Sequence, residues 1–211
     1  MTKSKIEKIF AGVQVFNADA YVADYTESVQ LQLAKLQPRS ARKAFMENPD
    51  LRNGVYIQQT PFTDIQFFHL HNDNAIPYYV VNFEQNKGFF SSGNRDCECL
   101  FRYKGKDKGW LLLCELKYNH SEETIHNNVE TAYSQLRSTW ELCEQNKVFD
   151  KRRCRSFLNI TLPNFSYKAP FNSFILTQSE KLKWIKRNKI HLMGYNDVLI
   201  INEGRLQVPQ E

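Results

Sequence analysis

A chain of 211 residues is long enough to bury one hydrophobic core, and we expect a single domain over residues 1–211. Apolar residues make up 42% of the chain and charged residues 24%, which excludes the composition of a disordered protein. No apolar run approaches the roughly 18 residues of a membrane span, and the N-terminus lacks the apolar centre of a secretory signal. The net charge of +5 permits a polyanionic partner without requiring one.

The cysteines indicate a reducing environment. There are five of them, an odd number at irregular spacing, which does not form a disulfide framework. We therefore expect a cytoplasmic protein. Cys97 and Cys99 alternate with Asp96 and Glu98, which predicts two inward-facing strand residues rather than half of a zinc site.

Two helices are predicted in the N-terminal part of the chain. Apolar residues between residues 21 and 37 step by three and four, which predicts an amphipathic helix that Pro38 ends. Ser40 is placed to cap a second helix that continues to Met46. A weaker pattern over residues 6–16 indicates a further short helix.

The middle of the chain predicts three strands in sequence. Residues 51–74 have a loop-like composition with one short strand at Val55–Gln58. Residues 78–83 are rich in aromatic residues and valine, which predicts the first of the three strands. The other two lie in residues 96–103 and 110–117, joined by a turn that is rich in glycine and lysine.

The predicted hairpin brings charged residues together. If it folds at the centre of its turn, residues whose numbers sum to about 213 lie opposite each other, within roughly 5 Å of their cross-strand neighbours. This register places Asp96 beside Glu115 and Lys117. Glu115 and Lys117 are two apart and share one face of their strand. Charge at a buried strand end is costly unless a metal ion or a substrate uses it.

The second half of the chain predicts a long helix and further strands. Ser121 is a good cap for a helix whose apolar stripe continues to about Gln145. Strands are predicted over residues 157–162, 174–177 and 197–201, with a basic helix at residues 179–188. A three-strand meander followed by a helical crossover predicts a three-layer α/β fold, a mixed β-sheet flanked by helices on both faces.

This arrangement resembles the PD-(D/E)XK nuclease superfamily, whose fold is restriction-endonuclease-like. The resemblance rests on Asp96, on Glu115-Leu116-Lys117 in the next strand, and on the helix that follows. The family core has the order αβββαβ, which residues 21–162 reproduce, leaving the C-terminal strands and the basic helix in residues 163–211. The residue before Asp96 is arginine, where the family often has proline.

The resemblance implies a metal-dependent nuclease that hydrolyses phosphodiester bonds, most readily in DNA. Asp96 and Glu115 would bind Mg²⁺, or Mn²⁺ in its place, with the backbone carbonyl of Leu116 as a further implied ligand. The cation would neutralise the phosphate and lower the pKa of the attacking water. Lys117 would position that water and stabilise the developing charge.

Three further residues have open interpretations. Glu98 lies two residues beyond Asp96, where it either joins a metal site or pairs with a basic residue of the hairpin. Gln135 in the long helix either reaches the site, as in some branches of the family, or lies in solvent. Glu27 in the first helix matches the helix-borne acid of some members, although an exposed glutamate is the more common case.

Basic residues form two groups that could hold a phosphate backbone without reading sequence. The candidate nucleic-acid-binding residues are Lys151, Arg152, Arg153, Arg155, Lys183, Lys186 and Arg187. Small nucleases of this kind often pair to cut both strands, so a homodimer is possible.

Two other functions compete with a nuclease. A nuclease-like fold could bind nucleic acid or protein without cutting. Glu115 and Lys117 could also be ordinary residues of a surface hairpin that form a cross-strand ion pair with Asp96. His69-Leu70-His71-Asn72-Asp73 resembles the start of the zinc motif of metallo-β-lactamase-type hydrolases. Asn74 stands where those zinc hydrolases need a further histidine.

Overall fold

The computed structural model describes residues 4–47, 52–90, 96–105, 109–118, 125–164 and 189–208. The helices of this part of the chain are α1 (Lys5–Ile9), α2 (Glu27–Leu36), α3 (Arg42–Met46) and α4 (Ile125–Gln145). Its strands are β1 (Gln14–Phe16), β2 (Ala20–Asp24), β3 (Val55–Gln58), β4 (Phe68–His71), β5 (Tyr78–Asn82), β6 (Cys99–Tyr103), β7 (Gly109–Leu116), β8 (Cys154–Thr161), β9 (Ile190–Met193), β10 (Asp197–Asn202) and β11 (Arg205–Gln207). A 3₁₀ segment, Phe83–Phe89, follows β5.

The first sheet contains the predicted meander. Its strand order is β1-β5-β6-β7-β8-β9. Strand β6 pairs antiparallel with both β5 and β7, its neighbours along the chain. Helix α4 then crosses over to β8, which runs parallel to β7. The register of the hairpin is confirmed, because Cys99 lies opposite Cys114 and Leu100 opposite Leu113.

A second sheet was not predicted. Its strand order is β11-β10-β4-β2-β3, with β4 and β10 parallel and the other neighbouring strands antiparallel. The prediction of one helix over residues 21–37 is wrong at its start, since residues 20–24 form β2 and α2 begins only at Glu27. Val22 and Ala23 are both fully buried, and the ladders to β3 and β4 satisfy the backbone on both sides of β2.

The residues of β4 lie in a segment that was predicted as loop. Phe68 and Leu70 are fully buried and alternate with the partly exposed His69 and His71. Four residues give too short an alternation to identify a strand, and one partner of β4 is β10, more than a hundred residues further along the chain.

Two hydrophobic clusters lie on the two faces of the first sheet. On one face, Leu111 and Leu113 of β7 belong to a cluster with Val129 and Leu136 of α4. On the other face, Leu112 clusters with residues of the second sheet that include Phe68, Leu70 and Val198. Burying a leucine side chain contributes about 1.5–3 kcal/mol, so both clusters hold the sheet strongly.

The architecture is α/β with two mixed sheets and a few helices, and it is compatible with a three-layer α/β fold. The expectation of helices on both faces of one sheet needs correction, because the second sheet covers the face opposite α4. Helix α2 contributes to that side through Val29.

The N-terminal pattern over residues 6–16 divides into two elements. Helix α1 is held by a capping box between Ser4 and Glu7 and ends at Ile9. The chain then turns at Gly12, whose φ of 63° is in the left-handed region that glycine tolerates. Strand β1 follows and pairs with β5.

Several other predicted strands and helices correspond to elements of the structure. The predicted strands at residues 55–58, 78–83, 157–162 and 197–201 correspond to β3, β5, β8 and β10, and the helix ending at Met46 corresponds to α3. The predicted cap at Ser121, the strand at residues 174–177 and the basic helix at residues 179–188 lie outside the described residues.

All five cysteines are buried free thiols, in agreement with the absence of a disulfide framework. Within the described ranges, no helix combines the length and the apolar character needed to cross a bilayer.

Candidate functional site

Strands β6 and β7 bring the carboxyl groups of Glu98 and Glu115 together beneath α4. Leu100 of β6 and Leu113 of β7 face α4. Glu98, the residue just before β6, and Glu115 of β7 are each two residues from these leucines and lie on the same face. The backbone amide of Glu98 donates to the carbonyl of Cys114 over 3.2 Å, which continues the hairpin ladder one step. The amide of Leu116 donates to Oε2 of Glu98 over 2.8 Å and fixes that carboxyl beside β7.

Lys117 completes the group together with Gln135. Its Nζ atom forms a salt bridge with Oε1 of Glu115 and donates to Oε1 of Gln135 over 3.0 Å. The Nε2 atom of Gln135 donates to the carbonyl of Asp96 over 2.9 Å. Gln135 is therefore not a solvent-facing glutamine but a buried residue in contact with Lys117.

Asp24, at the end of β2, is a further acid of this group. It is buried, with 6% of its surface exposed, and its two carboxylate oxygens accept from the amide and the hydroxyl of Thr26. Burial raises the pKa of Asp24, and the charge of Lys117 opposes that change. Asp24 was not predicted in the site, because its segment was expected to be helical. An aspartate whose carboxylate accepts from the residue two further on, here Thr26 at the N-cap position of α2, is a turn signal that could have indicated the boundary.

The charges of the group are strongly coupled. Glu115 is fully buried, and within the described part of the chain its Oε2 atom has no donor other than a protonated Glu98 carboxyl. Burial raises the pKa of Glu115 although Lys117 opposes it, and burial together with the charge of Glu115 raises the pKa of Glu98 well above its usual value. Burial lowers the pKa of Lys117, but the charges of Glu115 and Glu98 outweigh burial and raise it overall. A proton kept on Glu98 relieves the repulsion between the two glutamates.

Asp96 has a different position from the one that the resemblance implied. It lies before the first residue of β6, and it reaches the group through its backbone carbonyl. Burial raises the pKa of its carboxyl, and the side-chain charges that act on it are those of Lys87 and Glu84. The acid that the structure brings next to Glu115 is thus Glu98 rather than Asp96.

The donor set suits a hard cation. Asp24, Glu98 and Glu115 offer carboxylate oxygens, which Mg²⁺ prefers. In the described residues these oxygens do not all lie within 4.8 Å of one another, so the side chains would have to move to share one cation. The carbonyl of Leu116 remains a ligand implied by the resemblance. Glu27 begins α2 close to Asp24 in sequence, but its side chain is outside the described part of the chain.

The basic residues lie at the other end of the first sheet. Arg152, Arg153 and Arg155 line an open cleft of about 840 Å³ together with Lys189 and Arg205, next to Gly109 at the start of β7. The cleft lies roughly 25 Å from Lys117, the length of an eight-residue strand. Lys151 is at a neighbouring cleft, where it pairs with Glu144. The predicted binding residues Lys183, Lys186 and Arg187 are outside the described residues.

The two histidines of the zinc-hydrolase hypothesis, His69 and His71, face away from the group of Glu98, Glu115 and Lys117. His69 Nε2 lies 2.8 Å from Oδ2 of Asp19, and His71 Nε2 lies 3.1 Å from Oδ1 of Asp197. Burial lowers the pKa of His69, whereas the hydrogen bond with Asp197 raises the pKa of His71. The two aspartates carried no signal in the sequence, because each lies far along the chain from its histidine. Asn74 donates to the carbonyl of Ile201.

No protein-family model, no curated protein and no solved structure matches this chain. The fold and the site define an α/β protein with two mixed sheets and a buried carboxylate–lysine group.

Proposed function

We propose that this chain is a metal-dependent nuclease that hydrolyses phosphodiester bonds in DNA, with Mg²⁺ as its cofactor and Mn²⁺ as a substitute. The observation that carries the proposal is the fully buried carboxyl of Glu115. Its Oε1 atom pairs with Lys117, and among the described residues its Oε2 atom has no donor apart from the neighbouring carboxyl of Glu98, which hydrogen-bonds with Glu115 when it keeps a proton.

The charge balance of the group favours a cation. Asp24, Glu98 and Glu115 carry three negative charges when ionised, and Lys117 supplies one positive charge. Uncompensated charge is costly in the interior, so without a cation the acids retain protons. A divalent cation would balance the remaining two charges. This is the expected electrostatics of a site built to bind Mg²⁺.

Each residue then has a role in hydrolysis. Asp24, Glu98 and Glu115 would hold the cation, which when bound supplies charge neutralisation at the phosphate and a more acidic water. Lys117 would donate to the phosphate or orient the attacking water. Gln135 is a positioning residue, because it holds the Lys117 ammonium and the backbone of Asp96 in one network.

The resemblance to the PD-(D/E)XK superfamily supports the same function. The order β5, β6, β7, α4, β8 corresponds to the βββαβ part of the αβββαβ core, while α3, β3 and β4 lie between it and α2. Glu115-Leu116-Lys117 ends the third strand of that core. We propose that Glu98 takes the part that the resemblance gave to Asp96.

A nuclease of this kind must also hold its substrate. The basic cleft around Arg152 and Arg155 is roughly 25 Å from Lys117 along β7, which corresponds to about seven base pairs of duplex DNA. We propose that a bound duplex contacts the cleft while its scissile phosphate lies at Lys117.

The same separation favours a second candidate, a module that binds nucleic acid without cleaving it. In that case the basic cleft carries the function and the buried acids are structural. The two candidates make opposite predictions for turnover, since both bind DNA and only the first cuts it.

The test incubates the purified chain with supercoiled plasmid, single-stranded DNA and RNA, in Mg²⁺, in Mn²⁺ and in a chelator. Metal-dependent cleavage by the wild-type chain that is lost in Lys117→Ala and Glu115→Gln supports the nuclease. Glu203→Gln and Lys43→Ala, at exposed positions, are the matched controls and should cleave normally. Cleavage that survives in both site variants overturns the nuclease, and DNA binding without any cleavage supports the binding module.

A further inference from the structure

The outer face of the second sheet carries a second cluster of potential ligands. His69 and His71 alternate along β4 with Phe68 and Leu70, which are fully buried. The histidines therefore project to the side of the sheet that faces away from its core. Their rings lie with centroids 3.5 Å apart, so both imidazoles face one small region of surface.

Two aspartates converge on these rings from other elements. Asp19 comes from the connection before β2, and its Oδ2 atom lies 2.8 Å from Nε2 of His69. Asp197 begins β10, where the parallel ladder places it beside His69. Its Oδ1 atom lies 3.1 Å from Nε2 of His71 and 3.7 Å from Nδ1 of His69.

Asp19 is held in place independently of the histidines. Its Oδ1 atom accepts from the amide of Asn72 over 2.8 Å, which leaves Oδ2 directed at His69. The ring of Tyr21 stacks on His69 with centroids 4.2 Å apart. The carboxylate and the imidazole are therefore ordered by neighbours that a ligand would not displace.

We propose that Asp19, His69 and His71 bind a transition-metal dication, zinc by preference, on the outer face of the second sheet. One potential ligand atom from each of these residues lies within 4.8 Å of the others. Two imidazoles and one carboxylate are a donor set for zinc and its neighbours in the first transition series. The same donors are poorly suited to Mg²⁺, which prefers oxygen.

The cluster fits such an ion after its side chains move, because its ligand atoms lie within 4.8 Å of one another and one pair is already in contact. With bonds of about 2.0–2.1 Å, two ligand atoms of a tetrahedral zinc site lie roughly 3.3 Å apart. The Asp19–His69 contact of 2.8 Å therefore needs to open by about half an ångström as the ion replaces the shared proton. The side chains of His69 and Asp19 are 15% and 30% exposed, which leaves a path for the ion to enter.

Asp197 has a positioning role. A carboxylate that accepts from the second nitrogen of a metal-bound histidine fixes the ring and raises its basicity. Asp197 is in contact with His71 in this way. With three protein ligands, at least one coordination position remains for water. The ion would join the connection before β2 to β4, and through Asp197 to β10.

The metal site is separate from the proposed nuclease site. Glu98 and Glu115 lie beneath α4 on the first sheet, whereas His69 and His71 are on the outside of the second sheet. Zinc binding and Mg²⁺-dependent cleavage can therefore be tested without interference.

The experiment measures Co²⁺ and Zn²⁺ binding to the full chain. Co²⁺ should give visible absorption typical of nitrogen and oxygen ligands, and equilibrium dialysis should find one Zn²⁺ at this site. His69→Gln and His71→Gln should lose both signals, whereas Asp197→Asn should weaken binding about 10–100-fold. His191→Gln is the matched control, since His191 stacks on Phe157 in the first sheet. Glu115→Gln should also bind Co²⁺ normally.

Thermal unfolding gives a second readout that does not depend on enzyme activity. Zn²⁺ should raise the melting temperature of the wild-type chain and of His191→Gln, because an ion that binds the folded state stabilises it. The proposal is overturned if the wild-type chain gives no Co²⁺ absorption, or if His69→Gln and His71→Gln, with unchanged circular dichroism, bind like the wild type.

Discussion

The Oε2 atom of Glu98 lies 2.8 Å from the amide nitrogen of Leu116, and this hydrogen bond holds the Glu98 carboxyl beside the fully buried Glu115. Two acids on adjacent strands are thereby placed together, and Lys117 pairs with one of them. Asp96 reaches the same group only through its carbonyl among the contacts described. The difference between these two acids can be tested.

Substitution of Glu98 should affect cleavage far more than substitution of Asp96. Glu98→Gln removes a carboxylate that would hold the cation, whose contribution to the transition state is several kcal/mol. We expect at least about a hundredfold loss in kcat/KM. Asp96→Asn preserves the carbonyl that accepts from Gln135 and should remain within a few-fold of the wild type. A larger loss in Asp96→Asn than in Glu98→Gln would contradict the assignment.

Gln135 should act on catalysis through Lys117. Gln135→Ala removes the acceptor 3.0 Å from the Lys117 ammonium, and we expect a lower kcat with little change in KM. Gln145→Ala, exposed near the end of the same helix, is the control and should be normal. Equal effects of the two substitutions would show that helix α4 responds to any change, and that Gln135 has no particular role.

The stability of the chain in a chelator should fall as the pH rises. The pKa values of Glu98 and Glu115 are raised in the folded protein, so the folded chain binds protons that the unfolded chain releases near pH 4.3. The free energy of unfolding must therefore decrease from about that pH upwards, towards the raised pKa values. The midpoint of urea unfolding, followed by circular dichroism at several pH values, measures the effect.

Glu115→Gln provides the check on this pH dependence. The glutamine mimics the neutral acid, so the free energy of unfolding of the variant should fall much less as the pH rises. At pH 8 the variant should be more stable than the wild type. Mg²⁺ at pH 8 should stabilise the wild type and not the variant. A variant that is less stable than the wild type at pH 8 would contradict the proposed repulsion.

The basic cleft should contribute to DNA affinity and to its salt dependence. Arg152→Ala and Arg155→Ala each remove one charge from the cleft wall. Each lost phosphate contact should lower the slope of log K against log salt by about 0.9. Fluorescence anisotropy of a labelled duplex between low and moderate salt measures the slope. Arg39→Ala, exposed outside the cleft, should leave the slope unchanged.

The packing between α4 and the first sheet should be essential for stability. Leu113 is fully buried beneath α4, and Leu113→Ala should cost about 2–5 kcal/mol through lost burial and the cavity left behind. Leu31, with 47% of its surface exposed, is the control. Leu31→Ala should remain within about 0.5 kcal/mol of the wild type. The free energies of unfolding of both variants, measured with a chemical denaturant, test this prediction.

The local parts of the fold were determined by the sequence itself. Apolar alternation and a turn specify the β6–β7 hairpin and its register, since a shift of one residue would move every side chain to the wrong face. The stripe of α4 likewise identifies the face that meets Leu111 and Leu113. These features need only near neighbours, and they are enough to place Glu115 and Lys117 on one face of β7, whereas they left open whether Gln135 reaches them.

The tertiary structure alone decided the rest. The second sheet pairs β4 with β10, which lies more than a hundred residues further along the chain. No short sequence pattern in either strand indicates which strand it pairs with. That pairing brings Asp19 and Asp197 to the histidines. In the first site, the strand at residues 20–24 delivers Asp24. Long-range pairing depends on the whole core, so the positions of these acids follow from packing and not from local spacing.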